Sequence, residues 1–319
     1  LAPTMTSTPT LAPTPMFELT SGDVVPELIA DYACVTGEGP LWHPDEQRLY
    51  WVDIPKGRLF RYTPATGEHE QCFESSTANG DAIGGFTIQE DGALLLFMAR
   101  GAIEFWRDGE AREDATTTII DEIPDEVTTR FNDVIADPEG RVFCGTMPTQ
   151  SRLGRLYRLN PDRTLTKLLN GIGVSNGMGF TPDLQHLYYT DSPTCNIYIF
   201  DYDRATGNIS NQRVFVQTPE GKGVPDGMTV DAEGYVWSAR WDGGVLVRYT
   251  PDGVEERRVA FPAKKVSSVT FGGPDYTDIY VTTAGGDQKA TEGQGAGALF
   301  RLRLGIQGKA EFPSKIALS

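Results

Sequence analysis

The sequence predicts an all-β fold, a six-bladed β-propeller, and three observations predict it. Runs rich in Val, Tyr, Phe and Leu alternate with turns built on Pro-Asp, Asp-Gly and Glu-Gly, the pattern of strands and hairpins. Six such turns recur, around Asp45, Asp91, Glu139, Asp183, Glu233 and Asp275, and successive anchors lie 46, 48, 44, 50 and 42 residues apart. A period of about 40–50 residues with several strands per repeat is that of a propeller blade. No segment between the strands carries the 3.6-residue periodicity an α/β fold would need.

Taken in order, the first twenty residues are rich in Pro and Thr and contain no continuous apolar core. Residues 1–23 are therefore expected to be a disordered or processed tail, and residues 24–319 the propeller. Val24–Ala30 is placed to supply the outer strand of the last blade and so to close the ring. Each later unit runs from small or polar residues into a short apolar strand, through an acidic turn, into a second strand such as RLYWVD and a third such as GRLFRYTP. The chain of 319 residues is long enough for the large core this fold needs.

Charge narrows the partners. With 44 acidic and 28 basic residues the formal charge is −16, which repels phosphate backbones and anionic lipid. No stretch approaches the ~20 apolar residues of a membrane helix. A small-molecule partner is expected, with no nucleic acid and no membrane, on a monomer or weak dimer. Cys34, Cys72, Cys144 and Cys195 are scattered, without CxxC or zinc spacing, and are expected to be free thiols in a reducing compartment. A cytoplasmic location follows, with secretion left open because the native N-terminus is uncertain. Only three histidines are present, so a histidine base has few candidates.

The innermost strand of every blade starts near the central channel, so one register repeated six times forms a ring. Seven residues before the anchors stand Glu38, Gly84, Asn132, Asn176, Asp226 and Ser268. Four of these carry oxygen-bearing side chains larger than serine at the mouths of otherwise apolar strands (EGPLW, NDVIA, NGMGF, DGMTV). Buried polar groups must be satisfied. Two carboxylates and two amide oxygens suit a hard divalent cation; a wet channel of mutually bonded side chains is the alternative.

The runs GEGPLW, RFNDVIADPEGRVFCGTM, VSNGMGFTPD, YYTDS, VPDGMTVDAEGYVWSARWDGGVLVRY and FGGPDYTDIYVTTA resemble the senescence marker protein/gluconolactonase (regucalcin-like) family of sugar lactonases. The likeness spans nearly the whole chain after the tail. It implies a six-bladed propeller that hydrolyses a gluconolactone-like aldonolactone with one divalent metal at the axis. By resemblance the metal ligands are Glu38, Asn176 and Asp226, Arg130 and Asn132 face the substrate, and Asp226 is the general base. After GTM the regucalcin-like branch usually places a second acid that meets a sugar hydroxyl; Gln150 stands at the corresponding place. The metal is expected to be Ca²⁺ ahead of Zn²⁺, Mn²⁺, Mg²⁺ or Fe²⁺, among which such a ligand set selects loosely. Two rival functions stay open, a phosphotriesterase-like metal hydrolase and a non-catalytic calcium-binding propeller.

Other signals carry less. GVSNG at Gly173–Gly177 matches a nucleophile elbow, but the chain continues as a strand rather than a helix, so Ser175 is expected at the channel rim. DYDRATGN lacks the closing Glu of a calcium loop and suits a hairpin turn. The glycine-rich run Gly285–Ala298 has no GK[ST] and suits a loop of the last blade. Four tryptophans are expected in the core, and Trp241 lies where it could reach the pocket.

Overall fold

In the computed structural model, which describes residues 24–75, 82–109 and 116–318, six four-stranded antiparallel sheets form the blades of a propeller. The expected tail, residues 1–23, lies outside the described residues. The inner strands are Gly37–His43, Ile83–Ile88, Phe131–Ala136, Ser175–Phe180, Val224–Val230 and Val266–Gly272. Blades one to five each run outward in chain order. The sixth holds Val266–Gly272, Asp278–Thr283 and Ala298–Arg303, and the N-terminal strand Glu27–Asp31 completes it from outside.

That closing strand starts three residues later than the sequence suggests. Pro26 has no N–H to give the ladder, and pairing begins beyond it, with Glu27 opposite Arg301 and Asp31 opposite Ala298. The Arg301 guanidinium grips the Glu27 carboxylate through Nε and Nη2 at 2.8–3.0 Å.

Two of the repeated turns are built by the same device. At the third blade the Asp137 carboxylate, fully buried, accepts the backbone N–H groups of Glu139 and Arg141 at 2.9 and 3.0 Å. At the fifth, Asp231 does the same for Glu233 and Tyr235, and also takes Trp237 Nε1 at 3.0 Å and the Arg248 guanidinium at 2.7 Å. An aspartate that satisfies two turn amides fixes the hairpin locally. The paired arginine keeps the buried charge compensated.

Between blades the core is apolar and aromatic. Phe97 meets Phe131 edge-on between blades two and three, and Trp42 stacks on Tyr280 between blades one and six. Trp51, Trp106 and Trp237 are buried as expected. Among the described residues the one α-helix is the four-residue Lys289–Glu292, in the glycine-rich loop of the last blade. No helix among them is long and apolar enough to cross a membrane. All four cysteines are free.

After its last strand the chain crosses the base of the propeller. Gly308 N–H bonds Tyr276 O on the sixth blade, Gln307 O takes Ala232 N–H on the fifth, and Ser314 N–H bonds Ile88 O on the second. Lys315 and Ala317 then bond to Gly140 O and Pro161 O on the third. Phe312 packs against Phe180 of the fourth.

Candidate active site

Every inner strand carries a register shift at the ring position: between Glu38 and Leu41, Ile83 and Gly85, Phe131 and Val134, Ser175 and Met178, Pro225 and Met228, and Val266 and Ser268. A bulge adds an unpaired residue and re-aims side chains. Repeated six times, it turns the ring residues toward the axis. At Glu38 the bend is visible in Gly39, whose φ of +55° suits glycine and whose N–H bonds Glu38 Oε2 at 2.8 Å. Position 84 is glycine because a Cβ there would lie 2.0 Å from Phe131 O.

Two cavities share the axis. The upper one, of about 460 Å³, is lined at its floor by Glu38, Arg130, Asn132, Asn176 and Asp226. Its walls are mostly apolar: Ile54, Met147, Val174, Val224 and the ring of Trp241. Lys265 sits over that indole at 5.5 Å, held by Asp242 at 2.8 Å and Glu292 at 2.6 Å. The lower cavity, of about 80 Å³, is lined by Gly84, Asp133, Ser268 and, from the segment crossing the base, Glu311 and Phe312.

The floor is held by directed hydrogen bonds. Arg130 Nη1 donates to Asn132 Oδ1 at 2.7 Å and to Phe131 O at 2.8 Å. Asn132 Nδ2 donates to Asn176 Oδ1 at 2.6 Å and to Ser175 O at 2.7 Å. Asn176 Nδ2 donates to Ser192 Oγ at 2.6 Å, and Ser192 Oγ donates to Pro225 O at 2.6 Å.

Its electrostatics are those of trapped negative charge. Burial, followed by repulsion from Asp133 and Asp226, raises the Glu38 carboxyl well above the ordinary range. Burial and then Asp133 raise Asp226, with Arg130 pulling the other way. Burial lifts Asp133 to about 7, again against Arg130. Burial also lowers the Arg130 guanidinium, although the three carboxylates favour its charge. Ionising all three carboxylates against one guanidinium would leave two negative charges in a site screened from bulk water, and burial therefore holds these groups toward their neutral forms.

The structure thus brings together five of the six residues singled out in the sequence. Gln150 lies apart, exposed on the loop after Met147, and it does not line the cavity. Trp241 does line it. Ser175 is buried, and its Oγ accepts the Tyr189 hydroxyl at 2.8 Å at the start of a strand, so it is no nucleophile elbow. Sequence reasoning missed Asp133, Ser192 and the apolar wall. Asp133 reaches the channel through the bulge on the strand it shares with Asn132, and Ser192 meets partners on two inner strands.

Among the described residues no three His, Cys, Asp or Glu side chains converge as a ready metal cluster. The set on the floor is two carboxylates and an amide oxygen, the donors a hard cation takes. A divalent cation would match the two negative charges left when all three carboxyls ionise. The residues fit such an ion.

Fold and site together define a six-bladed β-propeller with buried carboxylates at its axis. The SMP-30/gluconolactonase/LRE-like region matches residues 36–285. This chain belongs to that family. It is 51% identical to the pentonolactonase XacC of Haloferax volcanii over 297 residues, covering 91% of this chain and 98% of that protein. It is 34% identical to regucalcin of Xenopus laevis, over 86% and 93% of the two chains. Among solved structures, a luciferin-regenerating enzyme superposes with a TM-score of 0.82 at 29% identity, covering 92% of this chain and all of that one. A calcium-binding regucalcin from Agrobacterium tumefaciens gives 0.80 at 25% identity, over 91% and 97%.

Proposed function

We propose that this protein is a lactonase that hydrolyses a sugar lactone to the aldonic acid, with one divalent metal held by Glu38, Asn176 and Asp226. The observation that carries the reading is the convergence, through bulges of one register, of these residues with Arg130 and Asn132 on the floor of one cavity. The relatives named pentonolactonase and regucalcin, similar over most of this chain, support it. When bound, the ion would polarise the ester and neutralise the floor.

The chain's own residues account for the proton movements. The Asp226 carboxylate, made more basic by burial, accepts a proton as water attacks the lactone carbonyl carbon. Electrons shift onto the carbonyl oxygen, where Arg130 donates; none of the described residues takes its Nε or Nη2 hydrogens. The ring C–O bond then breaks, and the departing oxygen recovers the proton from Asp226. Asn132 presents its amide beside the guanidinium, and the apolar wall excludes water from the ring.

A pH-stat assay over pentono- and hexonolactones, with chelator and metal add-back, tests the reading, with a phosphotriester as the parallel arm. Lactone turnover lost on chelation and restored by a divalent ion is expected. Turnover of the phosphotriester alone would replace this reading, and full activity after exhaustive chelation would remove the metal from it.

A further inference from the structure

The bonds on the floor form one chain across three blades: Arg130, Asn132, Asn176, Ser192, Pro225 carbonyl. Its two ends decide its direction. A guanidinium only donates, and a proline carbonyl only accepts. Asn132 must therefore turn its oxygen to Arg130 and its NH₂ to Asn176. Ser192 spends its single proton on Pro225 O, so its oxygen can only accept, and Asn176 must give it an N–H. The Asn176 oxygen is thereby left on the opposite side, toward Asn132 and the cavity. An amide without these constraints could present either end to the axis.

We infer that Ser192, which stands outside the ring register and opens the 3₁₀ turn Ser192–Thr194, is a positioning residue: it locks the Asn176 amide with its oxygen toward the metal position. It also ties the strand of one ligand to the strand of the next, since Pro225 precedes Asp226. The side chain is buried, 6% exposed, so no solvent molecule replaces its hydroxyl freely. The inference rests on the metal reading above.

The test titrates Ca²⁺ and, separately, Mn²⁺ into chelator-treated protein by calorimetry. Losing a partner that orients a metal ligand typically costs about 10- to 100-fold in affinity. Ser192→Ala is expected to weaken binding by that factor, and Ser192→Thr, which keeps the hydroxyl, to recover most of it. In an Asn176→Ala background, Ser192→Ala should have no further effect, because the ligand through which it acts is gone. Unchanged affinity in Ser192→Ala, or the same loss in both backgrounds, overturns the inference. Absence of binding by the wild type overturns the metal reading instead, so the two failures are distinguishable. Thermal unfolding of the metal-free variants checks that each is folded; if Ser192→Ala is not, Ser192→Cys, which keeps a small and weakly donating group, carries the comparison.

Discussion

Replacing Asp133 by Asn should make the metal-free protein more stable and the metal-binding protein worse at binding. The carboxyl of Asp133 is held at about 7 against an ordinary 3.8, chiefly by burial. It keeps some surface toward the lower cavity while remaining screened from bulk water. Between those two values the folded chain binds more protons than the unfolded chain, so stability falls as pH rises through that window. Below 3.8 both states are protonated, and above about 7 both are ionised, so the loss is confined there. At about 1.4 kcal/mol per pH unit the whole window corresponds to about 4 kcal/mol, of which about 3 lies above pH 5. Urea unfolding of chelator-treated wild type and Asp133→Asn at pH 5 and pH 8 measures it. The wild type should lose about 3 kcal/mol more than the variant on going to pH 8. The variant should also bind Ca²⁺ more weakly at pH 8, because one of the repelling charges is gone. Equal losses in the two proteins would refute the picture of trapped negative charge at the axis.

Asp226→Asn should retain much of its metal, since an amide oxygen still coordinates, while turnover falls by about 100-fold or more, the usual contribution of a proton acceptor; a near-normal rate over the no-enzyme background would leave Asp226 a ligand only. Glu38→Gln should act through metal affinity, with activity returning as metal is raised; activity that stays low at saturating metal would give Glu38 a part in the chemistry. Asp231→Ala takes the buried partner from the Arg248 guanidinium and strands three further N–H donors, and should cost about 3–5 kcal/mol in equilibrium unfolding; a loss under about 1 kcal/mol would mean the turn holds without its carboxylate. Thiol titration without reductant should find four groups in the unfolded chain, whereas folded Cys34, buried and pushed up to about 12, and Cys144, buried and likewise raised, should not react; prompt modification of either in the folded state would contradict the packing.

The blades were legible because each has a Pro-Asp, Asp-Gly or Glu-Gly turn after its inner strand, and a recurring turn leaves a period. The ring was legible for a related reason: a position counted back from the same turn lands at the same depth in every blade. Asp133 was not legible. Strand alternation would send it to the face opposite Asn132, and only the bulge between Phe131 and Val134 lets both side chains serve the channel. Ser192 was hidden because its partners, Asn176 and Pro225, belong to two inner strands, and their meeting depends on how blades pack. The closing strand starts at Glu27 rather than Val24 because Pro26 cannot donate to the ladder, a local effect that apolar patterning does not register. At Gln150 the alignment with the family's acid says where the residue falls in the chain. The loop conformation, tied down by Arg152 bonding Asp125 O and Glu126 at 2.5 Å, decides which way it faces.

The ring's closure has a consequence for how the molecule is made. Residues 27–31 leave the ribosome long before their partners in the strand Ala298–Arg303. Until those partners emerge, the strand Glu27–Asp31 has no ladder, and until the two pair the sixth sheet has an open edge, the kind of edge that pairs with neighbouring chains. The segment that crosses the base follows later still. The closed ring therefore depends on a contact between the first and last strands of the propeller, of the long sequence separation that slows folding. Nascent chains arrested before residue 298 should be captured by chaperones and sensitive to protease in the sixth blade, and both properties should vanish once that last strand has emerged.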